Sequence, residues 1–291
     1  MPQTPSTLHL PRILCLHGGG TNAFIFASQC RALLRHLSPH YRLVFADAPF
    51  LCDAGPGVYP VYKDHGPFRC WLPWVGGASA KMDHEEVRLD LDLDLDLDLD
   101  KKGVIAMIEG CLSEAMRCDD EIGATGKWEG VMGFSQGAKM CASILFEMQI
   151  RRGSQSNWQS DPQSRGVYQE WKFGVLLHGI APLVAMSKEG EGRDMQCADQ
   201  VLGLFSDGFV FTEGKSGRLV NIPTVHVHGL LDPGLHLGRK LLDAYCDEDT
   251  VRLVEWEGDH RVPVKSVDVQ RIVDAIFSVS KGISKTEIDI A

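Results

Sequence analysis

Gly130-Val131-Met132-Gly133-Phe134-Ser135-Gln136-Gly137-Ala138 runs an apolar segment into a serine with a glycine two residues away on each side. Gly130–Phe134 reads as a short buried strand. Cys141, Ile144, Leu145 and Met148 then keep the i, i+3, i+4, i+7 spacing of a helix packed along one face. A strand that turns directly into a helix through Gly-x-Ser-x-Gly is a nucleophile elbow, in which small residues beside the serine avoid a clash in a sharp turn. The pattern occurs once in the chain.

Working outward from the elbow, the same alternation recurs. Arg12–Leu16, Arg42–Ala46, Phe173–Leu177, Thr224–Val227 and Val251–Trp256 are strand-length apolar runs. Helical patterns lie between and after them: Phe26, Cys30, Leu33, Leu34 and Leu37 on one face, then Val104–Met116. A final helix, with Val269, Ile272, Val273 and Ile276 inward, is expected to start near Pro263. Strands alternating with amphipathic helices predict an α/β fold with a mostly parallel central sheet flanked by helices. Arg151–Gly166 reads as a polar surface loop, and the stretch after Leu177 as irregular to Ile222. No linker divides the chain, so residues 1–291 are expected to form a single domain.

Residues 50 to about 102 break the rhythm and read as a lid-like insertion. They are rich in Pro, Gly and aromatics (Phe50, Tyr59, Tyr62, Phe68, Trp71, Trp74) and end in six Leu-Asp pairs over 89–100. Alternation would place all the leucines on one strand face and the aspartates on the other, where like charges repel. The tract therefore reads as poorly ordered, with an acidic docking surface as the other reading. The aromatic cluster is either a loop packing on itself or an acyl-binding wall; Phe50, Phe68 and Trp71 are the candidate substrate contacts.

Composition bounds the function. The chain has 291 residues, 44% hydrophobic and 23% charged, with a formal net charge of −10. Most of that excess lies between Asp83 and Asp100, so it is a local run, and it argues against a nucleic-acid partner. Nine cysteines are scattered without metal-ligand spacing. There is no signal-peptide pattern and no apolar run long enough for a bilayer. A reduced, cytoplasmic protein with no membrane association is expected.

An elbow serine needs a base and an acid at later strand ends, in the chain order Ser, Asp, His. Val225-His226-Val227-His228-Gly229-Leu230-Leu231-Asp232 supplies the acid, and Val254-Glu255-Trp256-Glu257-Gly258-Asp259-His260 the histidine. Ser135 would be the nucleophile and His260 the general base. Asp232 would hold the histidine's tautomer and stabilise its charged form. The backbone N–H of Gln136 and one from the loop Gly18–Gly20 would receive the oxyanion, Gly19 first and Gly20 next. Among the rivals, Asp47 precedes the serine and reads as a turn residue, as does Asp259. His17, His226 and His228 read as structural, and His178 as pocket lining or structural. Ser206 and Ser216 lack any elbow context. No metal and no cofactor are called for.

Leu16-His17-Gly18-Gly19-Gly20-Thr21-Asn22-Ala23, Asp47-Ala48-Pro49-Phe50, Gly55-Pro56-Gly57, Gly66-Pro67-Phe68-Arg69, Gly133-Phe134-Ser135-Gln136-Gly137-Ala138, His228-Gly229-Leu230-Leu231-Asp232 and Gly258-Asp259-His260 together resemble the fungal serine hydrolase family. That family includes the LovG-like esterases found with polyketide synthases. The resemblance spans roughly residues 10 to 280 and implies an α/β-hydrolase fold and a cofactor-free serine hydrolase. Its roles fall on Ser135, Asp232 and His260. For the LovG-like branch it implies hydrolytic release of a polyketide or acyl chain from an acyl-carrier protein thioester. The Leu-Asp tract departs from the family pattern. Three functions stay open: a carrier-dependent thioesterase, a carboxylesterase for small oxygen esters, and a non-catalytic binding protein that kept the pocket. An acidic tract at the pocket mouth would repel an acidic carrier protein.

Overall fold

The computed structural model describes residues 7–73, 101–154, 166–191, 195–198 and 220–282. Six strands form the main sheet: β1 (Arg12–Leu16), β2 (Arg42–Ala46), β5 (Trp128–Phe134), β6 (Phe173–Leu177), β9 (Thr224–Gly229) and β10 (Val251–Trp256). They lie in the order β10-β9-β6-β5-β1-β2, and every adjacent pair is parallel. Successive side chains of a strand point to opposite faces, so a sheet covered on both sides takes apolar residues at nearly every position. β1 and β6 are buried throughout.

The alternation sorts the core into two layers. Leu14, Leu16, Val131 and Leu176 pack on one face with α4 (Lys101–Glu121), α5 (Gln136–Ser154) and α6 (Leu235–Tyr245). Ile13, Cys15, Met132, Val175 and Leu177 pack on the other with α1 (Ala23–Gln29), α2 (Arg31–Leu37) and α7 (Ser266–Ser280). β2 lies to one side of β1 while β5 and all later sheet strands lie to the other. The strand order therefore reverses between β1 and β5, and the loops leaving the two diverge there. In open α/β sheets that crevice is where ligands bind.

Several expectations are corrected. α7 begins at Ser266, three residues after Pro263, with Lys265 in extended conformation before it. The first helical pattern is split at Cys30 into α1 and α2. The insertion is not irregular throughout: β3 (Phe50–Cys52) and β4 (Phe68–Cys70) pair antiparallel around a short α3 (Tyr59–Tyr62). The stretch after Leu177 contains a small parallel pair, β7 (Leu183–Val184) and β8 (Met195–Gln196). α5 runs to Ser154, into the expected surface loop. The Leu-Asp tract, Trp74, Ser206 and Ser216 lie outside the described residues. Among the described residues no helix is long and apolar enough to cross a membrane.

Candidate active site

Ser135 stands between β5 and α5 with φ 53°, in the left-handed region that non-glycine residues rarely occupy. The turn is held from both sides: its N–H donates to Leu177 O (2.9 Å), and its carbonyl accepts from Lys139 N (3.0 Å). The flanking glycines are needed for space. A Cβ at Gly133 would lie 2.3 Å from Gly137 O, and one at Gly137 would lie 2.2 Å from Leu16 O. β1 and the elbow thus approach more closely than any side chain permits.

The three residues expected from the sequence meet at this point. The Ser135 hydroxyl lies 2.9 Å from His260 Nε2, and His260 Nδ1 lies 2.7 Å from Asp232 Oδ2. A carboxylate only accepts, so His260 donates its Nδ1–H to Asp232 and offers the Nε2 lone pair to the hydroxyl. Asp232 is buried in the turn leaving β9, where its Oδ1 also accepts from Gly234 N (2.7 Å). Burial alone pushes its carboxyl pKa up. Hydrogen bonds from His178 and His260, the charge of His260 and the Gly234 N–H outweigh that and hold it well below the usual carboxylate range. Asp232 is therefore a fixed anion at neutral pH.

His178, which the sequence suggests only as pocket lining or structural, has its Nδ1 2.5 Å from the same Asp232 Oδ2. It follows β6 with φ 51°. The nearest sequence signal is its place just beyond a strand end, beside the elbow strand. Nothing in the spacing marks the backbone angle that aims it.

The glycine loop after β1 is fastened rather than open. Gly20 N donates to Arg69 O (3.0 Å) and its carbonyl accepts from Gly55 N (2.9 Å), so that N–H is committed to the insertion. Gly19 is half-buried, whereas Gly18 and Gly20 are buried. Gln136 opens α5, and its side-chain Oε1 accepts from Trp71 N (2.7 Å). Its backbone N–H belongs to the first helical turn, which has no intrahelical acceptors. Trp71 Nε1 donates to His17 O (2.8 Å), so Trp71 ties the insertion to both the glycine loop and the elbow. Trp71 is fully buried and Phe50 nearly so, both in the core layer of α4 and α5, while Phe68 is half-buried.

The remaining rivals are placed elsewhere. His17 is buried, with Nδ1 2.8 Å from Gly18 O and Nε2 accepting from Ala48 N (3.1 Å); burial lowers its pKa to about 4. His226 faces Thr224 Oγ1 (3.2 Å), and burial with neighbouring His228 lowers it to about 3. His228 is lowered to about 4 by burial and by His178. Asp47 accepts from Ala23 N (2.8 Å) and joins the end of β2 to the start of α1. Asp259 pairs with exposed Arg261 (3.2 Å).

His178, Asp232 and His260 hold ligand-type atoms within 4.8 Å of one another, the grouping among the described residues that could reach a common ion. Both imidazoles, however, must carry protons on Nδ1 to bond the carboxylate. A cation there would have to displace both protons, and the donor set reads as a hydrogen-bond relay.

The family model described as Serine hydrolase (FSH1) matches residues 6–272. The chain belongs to this family. Among its relatives are two esterases of Monascus ruber. Esterase pigG is 45% identical, over 94% of this chain and 93% of its own. Esterase citA is 45% identical, over 91% and 90%. Esterase dbaE of Emericella nidulans is 41% identical over 94% and 92%. A solved structure, Zea mays acyl-protein thioesterase 2, is 14% identical over 95% of this chain and 96% of its own, with a TM-score of 0.47. Family membership makes the chain a serine hydrolase, and its own architecture is the mostly parallel α/β sheet flanked by helices.

Proposed function

We propose that Ser135, His260 and Asp232 are the catalytic triad, and that the chain is a thioesterase releasing a polyketide or other acyl chain from an acyl-carrier protein. The observation that carries the catalytic reading is the unbroken hydrogen-bond chain from the Ser135 hydroxyl through both nitrogens of His260 to Asp232. The carrier-bound substrate rests on the resemblance of the motif set to the LovG-like esterases.

The chemistry follows from the geometry. Ser135 Oγ attacks the acyl carbon while its proton passes to His260 Nε2, and Asp232 stabilises the imidazolium. The N–H groups of Gln136 and Gly19 receive the oxyanion; Gly20 is the weaker choice, its N–H being held by Arg69 O. Collapse expels the thiolate, which takes the proton from His260, and leaves an acyl-serine. Water then attacks this ester with His260 as base, and the free acid departs. Of the candidate contacts Phe50, Phe68 and Trp71, Trp71 is bonded to Gln136 and His17; half-buried Phe68 would contact the acyl chain, with buried Trp71 and Phe50 behind it.

Intact-protein mass after fluorophosphonate treatment tests the triad. Wild type should gain one adduct and folded Ser135→Ala none, with turnover lower by at least about 10⁴-fold. An unlabelled, folded wild type would return the binding-protein reading to the front. Hydrolysis of one acyl chain presented on a carrier-protein phosphopantetheine and as its p-nitrophenyl ester then separates the substrates. A higher kcat/KM on the oxygen ester would make the chain a carboxylesterase.

A further inference from the structure

The mechanism above uses one partner of Asp232, and the structure supplies two. His178 and His260 converge on the same oxygen, Oδ2, at 2.5 and 2.7 Å, while Oδ1 is taken by Gly234 N. His178 is not there by accident of packing. Its backbone sits at φ 51°, in the left-handed region that non-glycine residues occupy uncommonly. Its N–H donates to Val227 O (2.9 Å), which anchors it to β9. Its ring packs against Phe134 (centroids 5.6 Å), Trp256 (6.2 Å) and His260 (5.1 Å). Gly229 completes the cage: a Cβ there would lie 2.8 Å from His178 Cε1 and 2.5 Å from Gly258 O. The side chain is fully buried, so water does not compete for its bond to Asp232.

We propose that His178 is a positioning residue of this hydrolase: it donates Nδ1–H to the Asp232 oxygen that also binds His260, fixing the carboxylate's rotation and dividing its charge between two imidazoles. The inference rests on the triad reading above and deepens it. With His260 and Gly234 alone, each carboxylate oxygen rests on a single bond, and a swing about Cβ–Cγ that stretches either one misaims His260 from Ser135. A third donor from a separate strand removes that freedom. Sharing the carboxylate also leaves less negative charge facing the His260 imidazolium that forms when Ser135 gives up its proton. The ionisable groups facing His178 are Asp232 and His228, from β9 and its turn, and His260 from the loop after β10; the backbone of Arg261 lies against it as well. Burial outweighs the favourable bond to Asp232 and keeps the His178 ring on the neutral side.

The test begins on unmodified protein. NMR of ¹⁵N-histidine-labelled wild type should show His178 as the Nδ1–H tautomer, with a strongly deshielded proton beside that of His260. The Nε2–H tautomer at His178 would overturn the proposal. Two variants follow. His178→Leu keeps bulk and removes the donor; His178→Asn sets an amide N–H near the Nδ1 position and tolerates positive φ. His178→Leu should lose about 10- to 100-fold in kcat/KM, chiefly in kcat, and the acidic limb of its pH profile should move to higher pH. His178→Asn should recover most of that rate. A folded His178→Leu with wild-type kcat and an unmoved limb would overturn the proposal, as would His178→Asn falling equally far. Should His178→Leu not fold, the wild-type tautomer and the Asn variant decide. A wild type that takes no fluorophosphonate sinks the triad reading, whereas the tautomer still reports whether His178 serves Asp232.

Discussion

Each end of the parallel sheet buries a carboxylate between two nitrogenous side chains, and the two clusters behave oppositely. At the amino-terminal ends of the strands, Asp119 of α4 accepts from Arg42 Nε (2.8 Å) and Nη2 (2.6 Å) and from Arg12 Nη1 (3.2 Å). Arg12 also donates to Gly126 O (2.7 Å), and its guanidinium stacks over Trp128 at 4.1 Å. At the carboxyl-terminal ends, Asp232 accepts from His178 and His260. Guanidinium stays charged at any working pH, so the first cluster is a permanent clamp. Imidazole gains and loses a proton near neutrality, so the second can take one from Ser135 and hand it on to the leaving group. The same geometry thus serves cohesion at one end and proton transfer at the other, and backbone strain, at Ser135 and His178, is found at the second.

The sharpest way to break this contrast is to neutralise each carboxylate with an isosteric amide. Asp232→Asn should lower kcat by about 10⁴-fold with little loss of folded protein, because the amide no longer selects the Nδ1–H tautomer of His260. Steady-state kinetics beside a far-ultraviolet melt would check it. A variant that keeps a tenth of the wild-type kcat would show that the carboxylate does not govern the base.

Asp119→Asn should do the reverse. Arg42 would lose its buried carboxylate, and Arg12 would keep only the exposed Asp120, which together cost about 3–5 kcal/mol. Urea unfolding would read that loss, while kcat per folded molecule should stay at the wild-type value, since Asp119 lies at the opposite end of the sheet. A large fall in kcat with unchanged unfolding would overturn the division of roles.

The sequence is legible where one chemical constraint acts on contiguous residues. Phe173–Leu177 is buried on both faces and reads as an unbroken apolar run, so its limits can be found from composition alone. The elbow is legible because Gly133 and Gly137 answer a steric demand that no other residue meets. β3 and β4 are three residues each, too short for a period-two pattern to stand out. The Arg42–Asp119 contact joins positions 77 apart, and each member alone reads as an ordinary surface charge. Pro263 resembles a first-turn residue, yet the chain stays extended through Lys265 before α7 begins. His178 is not legible in this way, because its role depends on a backbone angle and on a partner in the turn after another strand.

Acid separates the two ends, and the smallest change it predicts is one histidine's share of the slope. Burial lowers His17 and His228 to about 4 and His226 to about 3, whereas an unfolded histidine titrates near 6.5. The unfolded chain therefore takes up these protons first as pH falls. Each histidine's contribution is complete above about pH 6.5 and declines by up to about 1.4 kcal/mol per pH unit, down to about pH 4 for His17 and His228 and about pH 3 for His226. Asp232, held low, adds a loss of the same sign that begins below about pH 5, as its unfolded form near 3.9 takes up a proton, so the histidines dominate the decline between pH 7 and 5. Urea unfolding at pH 7, 6 and 5 should show the decline, with a shallower slope in His226→Gln. The arginine clamp binds no protons in this range, so Asp119→Asn should be less stable throughout yet show the wild-type slope. A flat profile from pH 7 to 5 would mean that the three histidines are protonated in the folded protein. A slope altered by Asp119→Asn would mean that the two ends of the sheet are coupled.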